Sequence, residues 1–142
     1  MKKRQFSLLI VDDDDVDVMN VKRALKKNDL SLPTDRAANG LEALEFLNQK
    51  FQATGHIDQL VILLDLNMPK MNGIEFLRAI RNDERFRVLP VIVLTTSDQP
   101  QDLEAAYSLN VAGYIVKPVE FQSFVEAMKI VNGYWSLCAM PT

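Results

Sequence analysis

Cysteine is almost absent from this 142-residue chain, and long apolar stretches are absent altogether. With Cys138 as its only cysteine, the chain cannot form an internal disulfide, so its fold must be stable without one. No run approaches the roughly 18 to 20 apolar residues that span a bilayer, and the first apolar run is too short for a secretory signal. We therefore expect a cytoplasmic protein that does not span a membrane.

An excess of positive charge is also lacking. The 16 lysine and arginine residues are outnumbered by 19 aspartate and glutamate residues, which gives a formal net charge of −3 at pH 7. Proteins that bind nucleic acids usually neutralise the phosphates with a basic surface, so direct binding to DNA or RNA is not expected. The length and the 48% hydrophobic content suit one globular domain with a single core, extending over about residues 6–135.

Short apolar runs recur along the chain. Runs rich in valine, isoleucine and leucine cover 6–11, 60–64 and 90–94, and such runs are typical of strands buried on both faces. Weaker strands are predicted at 34–38 and 113–116.

Apolar residues at helical spacing predict helices between and after these strands. Four such segments begin near Val18, Leu41, Ile74 and Phe121, and a weaker helix is predicted at 101–108. Because strands and helices alternate, the sequence predicts an α/β fold with a doubly wound sheet of five parallel strands. Functional sites in such folds lie at the carboxyl ends of the strands.

Acidic residues follow two of the strong strands. Asp12 and Asp13 follow the first and Asp65 follows the third, so the three carboxylates are expected at one edge of the sheet. Like charges about 4 Å apart at an effective dielectric near 20 repel by roughly 4 kcal/mol, which protonation or a cation must relieve. Mg²⁺ takes one or two protein carboxylates together with waters and phosphate oxygens. The cluster is therefore a candidate Mg²⁺ site.

Other polar groups are predicted to reach the same edge. Asp65 is the candidate phosphoryl acceptor, because aspartate can act as a nucleophile toward phosphorus. Lys117 would supply a positive charge and Thr95 a hydroxyl donor to the phosphoryl oxygens. The backbone carbonyl of Asn67 is a candidate further metal ligand. The peptide between Lys117 and Pro118 is a candidate cis bond, since cis costs about 0.5 to 1 kcal/mol before proline.

Several neighbouring residues have ordinary structural interpretations. Asp14, Asp15 and Asp17 are expected to cap or begin the first helix, where acidic side chains complement the helix dipole. Ser97 or Asp98 is expected to cap the helix that follows the fourth strand. These five side chains are therefore predicted to stabilise helix ends.

In their order and spacing, these motifs resemble the receiver domain of two-component response regulators. The resemblance rests on the acidic pair 12–13, the segment LLDLNMPKMNGIEFL around Asp65, and the runs VIVLTTS and GYIVKP. It implies a flavodoxin-like sheet with strand order 2-1-3-4-5. It also implies that Asp65 takes a phosphoryl group from a histidine kinase with Mg²⁺, for which Mn²⁺ is an acceptable substitute, and that Thr95 and Tyr114 reorient on phosphorylation.

The segment 50–59 and the sequence NGYW near the end resemble the small regulators that are paired with phytochrome kinases. This resemblance implies a stand-alone regulator in which 1–142 forms a single receiver domain without an output domain. The implied partners are a sensor histidine kinase, of phytochrome type, and a phosphotransfer protein. Such a chain is a phosphoacceptor rather than an enzyme, although self-phosphorylation from phosphodonors and slow self-dephosphorylation are expected.

A homodimer is predicted through the face formed by the fourth helix, the fifth strand and the fifth helix. Tyr107, Tyr114 and Trp135 motivate this prediction, because an isolated monomer has no need of aromatic residues there.

A phosphatase of the haloacid dehalogenase type is the main enzyme alternative. The sequence DDDDV contains D-x-D-x-V, with Asp12 as the nucleophile and Asp14 as the acid. That family also needs a late acidic pair for Mg²⁺, where this chain offers only Glu120 and Glu126, and it leaves Asp65 without a role. A receiver that only binds a partner would lack the acceptor, a cation ligand or the lysine, and this sequence has all of them.

Overall fold

A parallel sheet lies between two layers of helices in the computed structural model, which describes residues 6–57 and 59–139. The strands are β1 (Ser7–Val11), β2 (Thr34–Ala37), β3 (Leu60–Leu64), β4 (Val91–Thr95) and β5 (Gly113–Val116). The helices are α1 (Asp15–Lys27), α2 (Gly40–Thr54), α3 (Gly73–Arg81), α4 (Pro100–Ser108) and α5 (Phe121–Leu137). The strict alternation that the periodicities predicted is therefore confirmed.

All neighbouring strands are parallel and lie in the order β2-β1-β3-β4-β5, as expected. The chain moves outward from β1 to β2 and then returns to β3 on the other side of β1. The direction of winding therefore reverses between β1 and β3, and ligand crevices form at such a reversal. Asp12 and Asp65 directly follow these two strands, so both lie at the reversal.

The two faces of the sheet bury separate apolar clusters. Leu9 and Val11 of β1 point to the side covered by α2, α3 and α4, whereas Leu8 and Ile10 point to the side covered by α1 and α5. This division follows from the alternation of side chains along a strand. Because β1, β3 and β4 are covered on both faces, they have the continuous apolar sequences seen above.

β3 and β5 have the predicted bounds, whereas β1, β2 and β4 differ from the prediction by one residue at one end or both. The predicted run 90–94 begins at Val91, since Pro90 has no backbone N–H for the ladder, although its carbonyl accepts a bond from Ile62 at 3.0 Å. The strand continues through Thr95, which is fully buried. The threonine is therefore held by the sheet itself rather than by the following loop.

The helix caps were only partly predicted. Asp14 caps α1, because its side chain accepts bonds from the backbone N–H groups of Val16 and Asp17. The predicted cap of α4 at Ser97 or Asp98 is wrong: Gln99 is the N-cap and makes no side-chain capping bond. Within the described residues, no helix is long and apolar enough to cross a membrane.

Gly73 begins α3 in close contact with the end of β3. A Cβ atom added to Gly73 would overlap the backbone carbonyl oxygen of Asp65 and approach the Cα of Leu66 at 2.8 Å. Neither backbone atom can move without displacing the strand end that positions Asp65. A glycine is thus required for α3 to pack this closely.

We expect Gly73→Ala to lower the free energy of unfolding by roughly 1 to 3 kcal/mol, the range for overpacking. Gly133→Ala is the matched control, because a Cβ at this exposed helical position meets nothing within 4 Å. The control should raise stability by about 0.4 to 1 kcal/mol. Urea denaturation measures both values, and equal effects of the two substitutions would contradict the proposed overlap.

Candidate functional site

The carboxyl ends of β1 and β3 bring together three carboxylates. One ligand oxygen each from Asp12, Asp13 and Asp65 lies within 4.8 Å of the others. Asp12 and Asp65 are buried, with 4% and 7% of their surface exposed, whereas Asp13 faces solvent. The structure thus places the three predicted residues in one group, with Asp13 on its solvent side.

The loop after β1 is held in place from two directions. The N–H of Asp12 donates to the carbonyl of Ala37, and its Oδ1 accepts from the N–H of Asp14 at 2.9 Å. Arg36 of β2 donates to the backbone carbonyl of Asp12 at 3.1 and 2.9 Å and to Asp15 at 2.7 Å. Arg36 was not predicted from the sequence, because an arginine in an edge strand carries no signal of its target.

Lys117 lies among the carboxylates rather than in solvent. Its ammonium donates to Asp17 at 2.6 Å, to Asp12 at 2.9 Å and to Asp65 at 3.5 Å, and only 8% of its side chain is exposed. Its backbone N–H donates to the carbonyl of Thr95 at 2.7 Å. The predicted position of Lys117 beside Asp65 is therefore observed, and Asp17 is an additional partner.

Burial and charge shift two pKa values in this group. Burial raises the pKa of Asp12 above its usual value, and the negative charge of Asp65 adds to this shift. The hydrogen bonds from Asp14 and Lys117 act in the opposite direction without cancelling it. For Lys117, burial opposes the charged form, but the bonds to Asp17 and Asp12 and the nearby negative charges raise its pKa. The lysine is therefore a permanent cation in the site.

The oxygen ligands suit a hard divalent cation. Two oxygens bound to Mg²⁺ at 2.0 to 2.1 Å lie at most about 4.2 Å apart, so the observed group needs only a small inward rotation of its side chains. The open side at Asp13 leaves room for waters or for a phosphate oxygen. The donor set and the raised pKa of Asp12 both indicate that a further cation would stabilise the group.

A chain of hydrogen bonds links the end of β4 to β5 and α4. The Thr95 hydroxyl oxygen accepts from the N–H of Ser97 at 3.4 Å, and the Tyr114 hydroxyl donates to the carbonyl of Ser97 at 2.8 Å. The Ser97 hydroxyl in turn donates to Asp102 of α4 at 2.5 Å. Tyr114 also stacks on Tyr107, with ring centroids 6.5 Å apart. Thr95 and Tyr114 are therefore connected through one short loop.

Two expectations at this end of the chain are wrong. The peptide between Lys117 and Pro118 is trans, the form that is lower in energy. Trp135 does not contribute to an exposed face, because it is only 9% exposed and packs in the apolar cluster that also contains Met128. The exposed aromatic residue of this helix is Tyr134, which is 61% exposed.

The phosphatase alternative is disfavoured by geometry. Its general acid would be Asp14, but the Asp14 carboxylate is occupied in capping α1. The third carboxylate of the group is instead Asp65, for which the phosphatase has no role.

His56 is exposed in the loop before β3, at the opposite end of the strands from this site.

Comparisons with known proteins agree with this arrangement. A family model described as "Response regulator receiver domain" matches residues 8–129. The response regulator Rcp1 of Synechocystis sp. is 31% identical over 128 residues, covering 90% of this chain and 87% of Rcp1. The probable methanogenesis regulatory protein FilR2 of Methanothrix harundinacea is 34% identical over 130 residues, covering 92% of this chain and 83% of FilR2.

Solved structures show the same fold. The phosphorylated cyanobacterial phytochrome response regulator RcpA is similar with a TM-score of 0.86 and 29% identity, covering 98% of this chain and 100% of that one. The Mn²⁺-bound form of Rcp1 is similar with a TM-score of 0.83 and 30% identity, covering 96% of this chain and 99% of that one. In Rcp1, a protein of this shape therefore binds a divalent cation.

We expect Mg²⁺ to raise the free energy of unfolding at pH 7, because the cation binds the folded carboxylates and not the unfolded chain. Since the pKa of Asp12 is raised on folding, protons stabilise the ion-free fold at low pH, and this contribution is lost as pH rises through that pKa. The gain from Mg²⁺ should therefore be largest at neutral pH and should disappear on acidification. Urea denaturation across pH, with and without Mg²⁺, measures it.

Asp13→Asn should weaken Mg²⁺ binding by about tenfold or more, because each 1.4 kcal/mol of lost interaction is a factor of ten. Asp29→Asn is the matched control, since Asp29 lies beyond the far end of α1. Isothermal titration calorimetry gives both affinities. Unchanged binding in Asp13→Asn would contradict a cation site at these residues.

Proposed function

The chain belongs to the response regulator receiver domain family, and from this premise we propose that Asp65 accepts a phosphoryl group and thereby switches a protein contact. The observation that carries the proposal is the grouping of Asp65 with two further carboxylates and the Lys117 ammonium at the reversal point of the sheet. The similarity to phytochrome response regulators such as RcpA confirms the resemblance seen in the sequence.

In the proposed reaction, a carboxylate oxygen of Asp65 attacks the phosphorus of a phosphohistidine on a sensor kinase. The P–O bond to Asp65 forms as the P–N bond breaks, and the histidine nitrogen leaves with the bonding electron pair. A bound Mg²⁺, held by Asp12, Asp13, Asp65 and the backbone carbonyl of Asn67, would neutralise charge on the phosphoryl oxygens. Mn²⁺ has similar ligand preferences and would serve in its place.

Lys117 and Thr95 are proposed to bind the transferred group. The Lys117 ammonium, already 3.5 Å from Asp65, would donate to one phosphoryl oxygen and balance its charge. Among the described residues, the Thr95 hydroxyl oxygen accepts a long bond from the N–H of Ser97, and its proton would be donated to a second phosphoryl oxygen. Both residues would stabilise the negative charge that the phosphoryl oxygens bring into the site.

The bond chain from Thr95 to Tyr114 would carry the switch. The Ser97 carbonyl accepts a bond from the Tyr114 hydroxyl, and the Ser97 hydroxyl donates to Asp102 of α4. If Thr95 turns toward the phosphoryl group, its bond from Ser97 changes and the loop at Ser97 moves, which would disturb both of these contacts. Phosphorylation would thus change the populations of two arrangements of β5 and α4. The face formed by α4, β5 and α5 is therefore proposed to change its protein contacts.

The proposed partner is a sensor histidine kinase of phytochrome type, because similar proteins include phytochrome and bacteriophytochrome response regulators. The chain spans 83% to 96% of the first sequence relatives and nearly all of the RcpA and Rcp1 structures. We propose that it works as a stand-alone cytoplasmic regulator with 1–142 as one receiver domain. A phosphotransfer protein is the proposed further partner, and slow self-dephosphorylation would reset the switch.

Incubation with acetyl phosphate and Mg²⁺, followed by intact-mass measurement, tests the acceptor. The wild type should gain one phosphoryl group only when Mg²⁺ is present, and Asp65→Asn should gain none. Asn is the matched substitution, because it keeps the size of the side chain and removes the nucleophilic charge. A wild type that stays unmodified would overturn the proposal in favour of a binding module that does not need phosphorylation. Phosphate on Asp65→Asn but not on Asp12→Asn would revive the phosphatase.

Homodimerisation through the α4–β5–α5 face is a further proposal. Exposed apolar side chains occur on each of the three elements, with Tyr107 51%, Val116 46% and Ile130 70% exposed. Because β5 is an edge strand, its outer side is open to a second copy. The proposed dimer contact is thus based on Tyr107 and the exposed aliphatic residues, and the buried Trp135 is not part of it.

Sedimentation with and without acetyl phosphate and Mg²⁺ tests the dimer. We expect the wild type to associate at micromolar concentration, and Val116→Lys to sediment as a monomer because it places charge in the apolar contact. Val88→Lys is the matched control, since Val88 is 59% exposed but precedes β4 at the other end of the sheet. A wild-type monomer under both conditions would refute the dimer.

A further inference from the structure

Asp17 makes the shortest of the three bonds to the Lys117 ammonium. The distance is 2.6 Å, against 2.9 Å to Asp12 and 3.5 Å to Asp65. Asp17 is not one of the three carboxylates that lie within reach of one cation, and 28% of its side chain is exposed. It lies in the first turn of α1, next to the loop that carries Asp12 and Asp13. Helix capping does not explain this side chain, because Asp14 is the cap.

Lys117 occupies oxygens that a divalent cation would also use. Asp12 and Asp65 each belong to the carboxylate group and each accept a bond from the ammonium. A dication placed among these oxygens repels the ammonium and competes for the same lone pairs. The lysine must therefore keep a partner outside the group, or it would have to leave the site when the cation enters.

We propose that Asp17 is a positioning residue that retains the Lys117 ammonium beside Asp65 when a divalent cation takes over Asp12 and Asp65. Asp17 is suited to this role because it binds the ammonium without belonging to the group that faces the cation. The functional benefit of keeping Lys117 beside Asp65 rests on the proposed phosphoryl transfer. The expected effect of Asp17 on cation affinity is independent of that transfer.

The test is a double-mutant cycle on Mg²⁺ affinity, measured by isothermal titration calorimetry on the unphosphorylated protein. The four proteins are the wild type, Asp17→Ala, Lys117→Met and the double variant. In the wild-type background, Asp17→Ala should weaken Mg²⁺ binding by about tenfold, because Lys117 is left on Asp12 and Asp65 and competes with the cation. In the Lys117→Met background, the same change should weaken binding by no more than about twofold, since no ammonium remains to be held.

Two further variants separate positioning from charge and from folding. Asp17→Asn keeps an acceptor oxygen and should lie between the wild type and Asp17→Ala. Asp29→Asn removes an exposed carboxylate beyond the far end of α1, so it should change Mg²⁺ affinity by less than about threefold. Circular dichroism confirms that each variant is folded before titration.

Equal losses from Asp17→Ala in the two backgrounds would overturn the proposal, because Asp17 would then act only as a distant negative charge. Unchanged affinity in Asp17→Ala would overturn it as well. At saturating Mg²⁺, Asp17→Ala should also accept phosphate from acetyl phosphate more slowly than the wild type, with Asp17→Asn intermediate. If the wild type accepts no phosphate, the proposed function fails, while the calorimetric cycle still decides the role of Asp17.

Discussion

One ammonium among four carboxylates dominates the electrostatics of this molecule. Lys117 contacts Asp12, Asp17 and Asp65, and Asp13 completes the group at the solvent side. A single positive charge leaves three negative charges of this group without a counterion. Since buried charges are costly unless they are paired, this excess of negative charge favours cation binding at the edge of the sheet. A bound divalent cation would balance the carboxylates first and would then also balance the negative charge of a phosphoryl group.

The fold converts this local electrostatic constraint into a signal at the surface. Apolar residues cover both faces of β1, β3 and β4, so close packing holds in place the strand ends that Asp12 and Asp65 follow. Two elements at one edge of the sheet have fewer such constraints: β5 is a half-buried edge strand, and α4 begins without a side-chain cap. Hydrogen bonds through Ser97 connect Thr95 at the end of β4 to Tyr114 of β5. A change at Asp65 is therefore expected to appear in α4 and β5 rather than in the strands of the core.

The sequence was sufficient for features that depend on periodicity. Continuous apolar strands alternating with amphipathic helices predicted the layers, and the position of Asp12, Asp13 and Asp65 after strands predicted their grouping. The lysine pairing of Asp17 was not predicted, because an acidic residue in a first helical turn already has a sufficient explanation in the helix dipole. Whether the Asp17 side chain points toward Lys117 depends on the residue at which α1 begins, and the Asp14 cap sets that residue.

Trp135 and Arg36 show two other limits. Helical spacing places Trp135 in the same apolar stripe as Val125 and Met128, which is where the structure buries it. Assigning it to an interface relied on residue type alone and was wrong. Arg36 binds the carbonyl of Asp12, a backbone group that no sequence motif specifies. Periodicity therefore predicts burial well, whereas long polar side chains find their partners only once the chain is folded.

Anomalous diffraction from crystals grown with Mn²⁺ would show whether these carboxylates bind a divalent cation, because the cation can be located without reference to any activity. We expect one strong peak bounded by oxygens of Asp12, Asp13 and Asp65, at about 2.0 to 2.6 Å from its ligands, as is usual for hard cations. Lys117 should be found on Asp17 in the same crystals. A peak elsewhere on the protein, or none while Lys117 still bridges Asp12 and Asp65, would contradict the claim that this carboxylate group is the cation site.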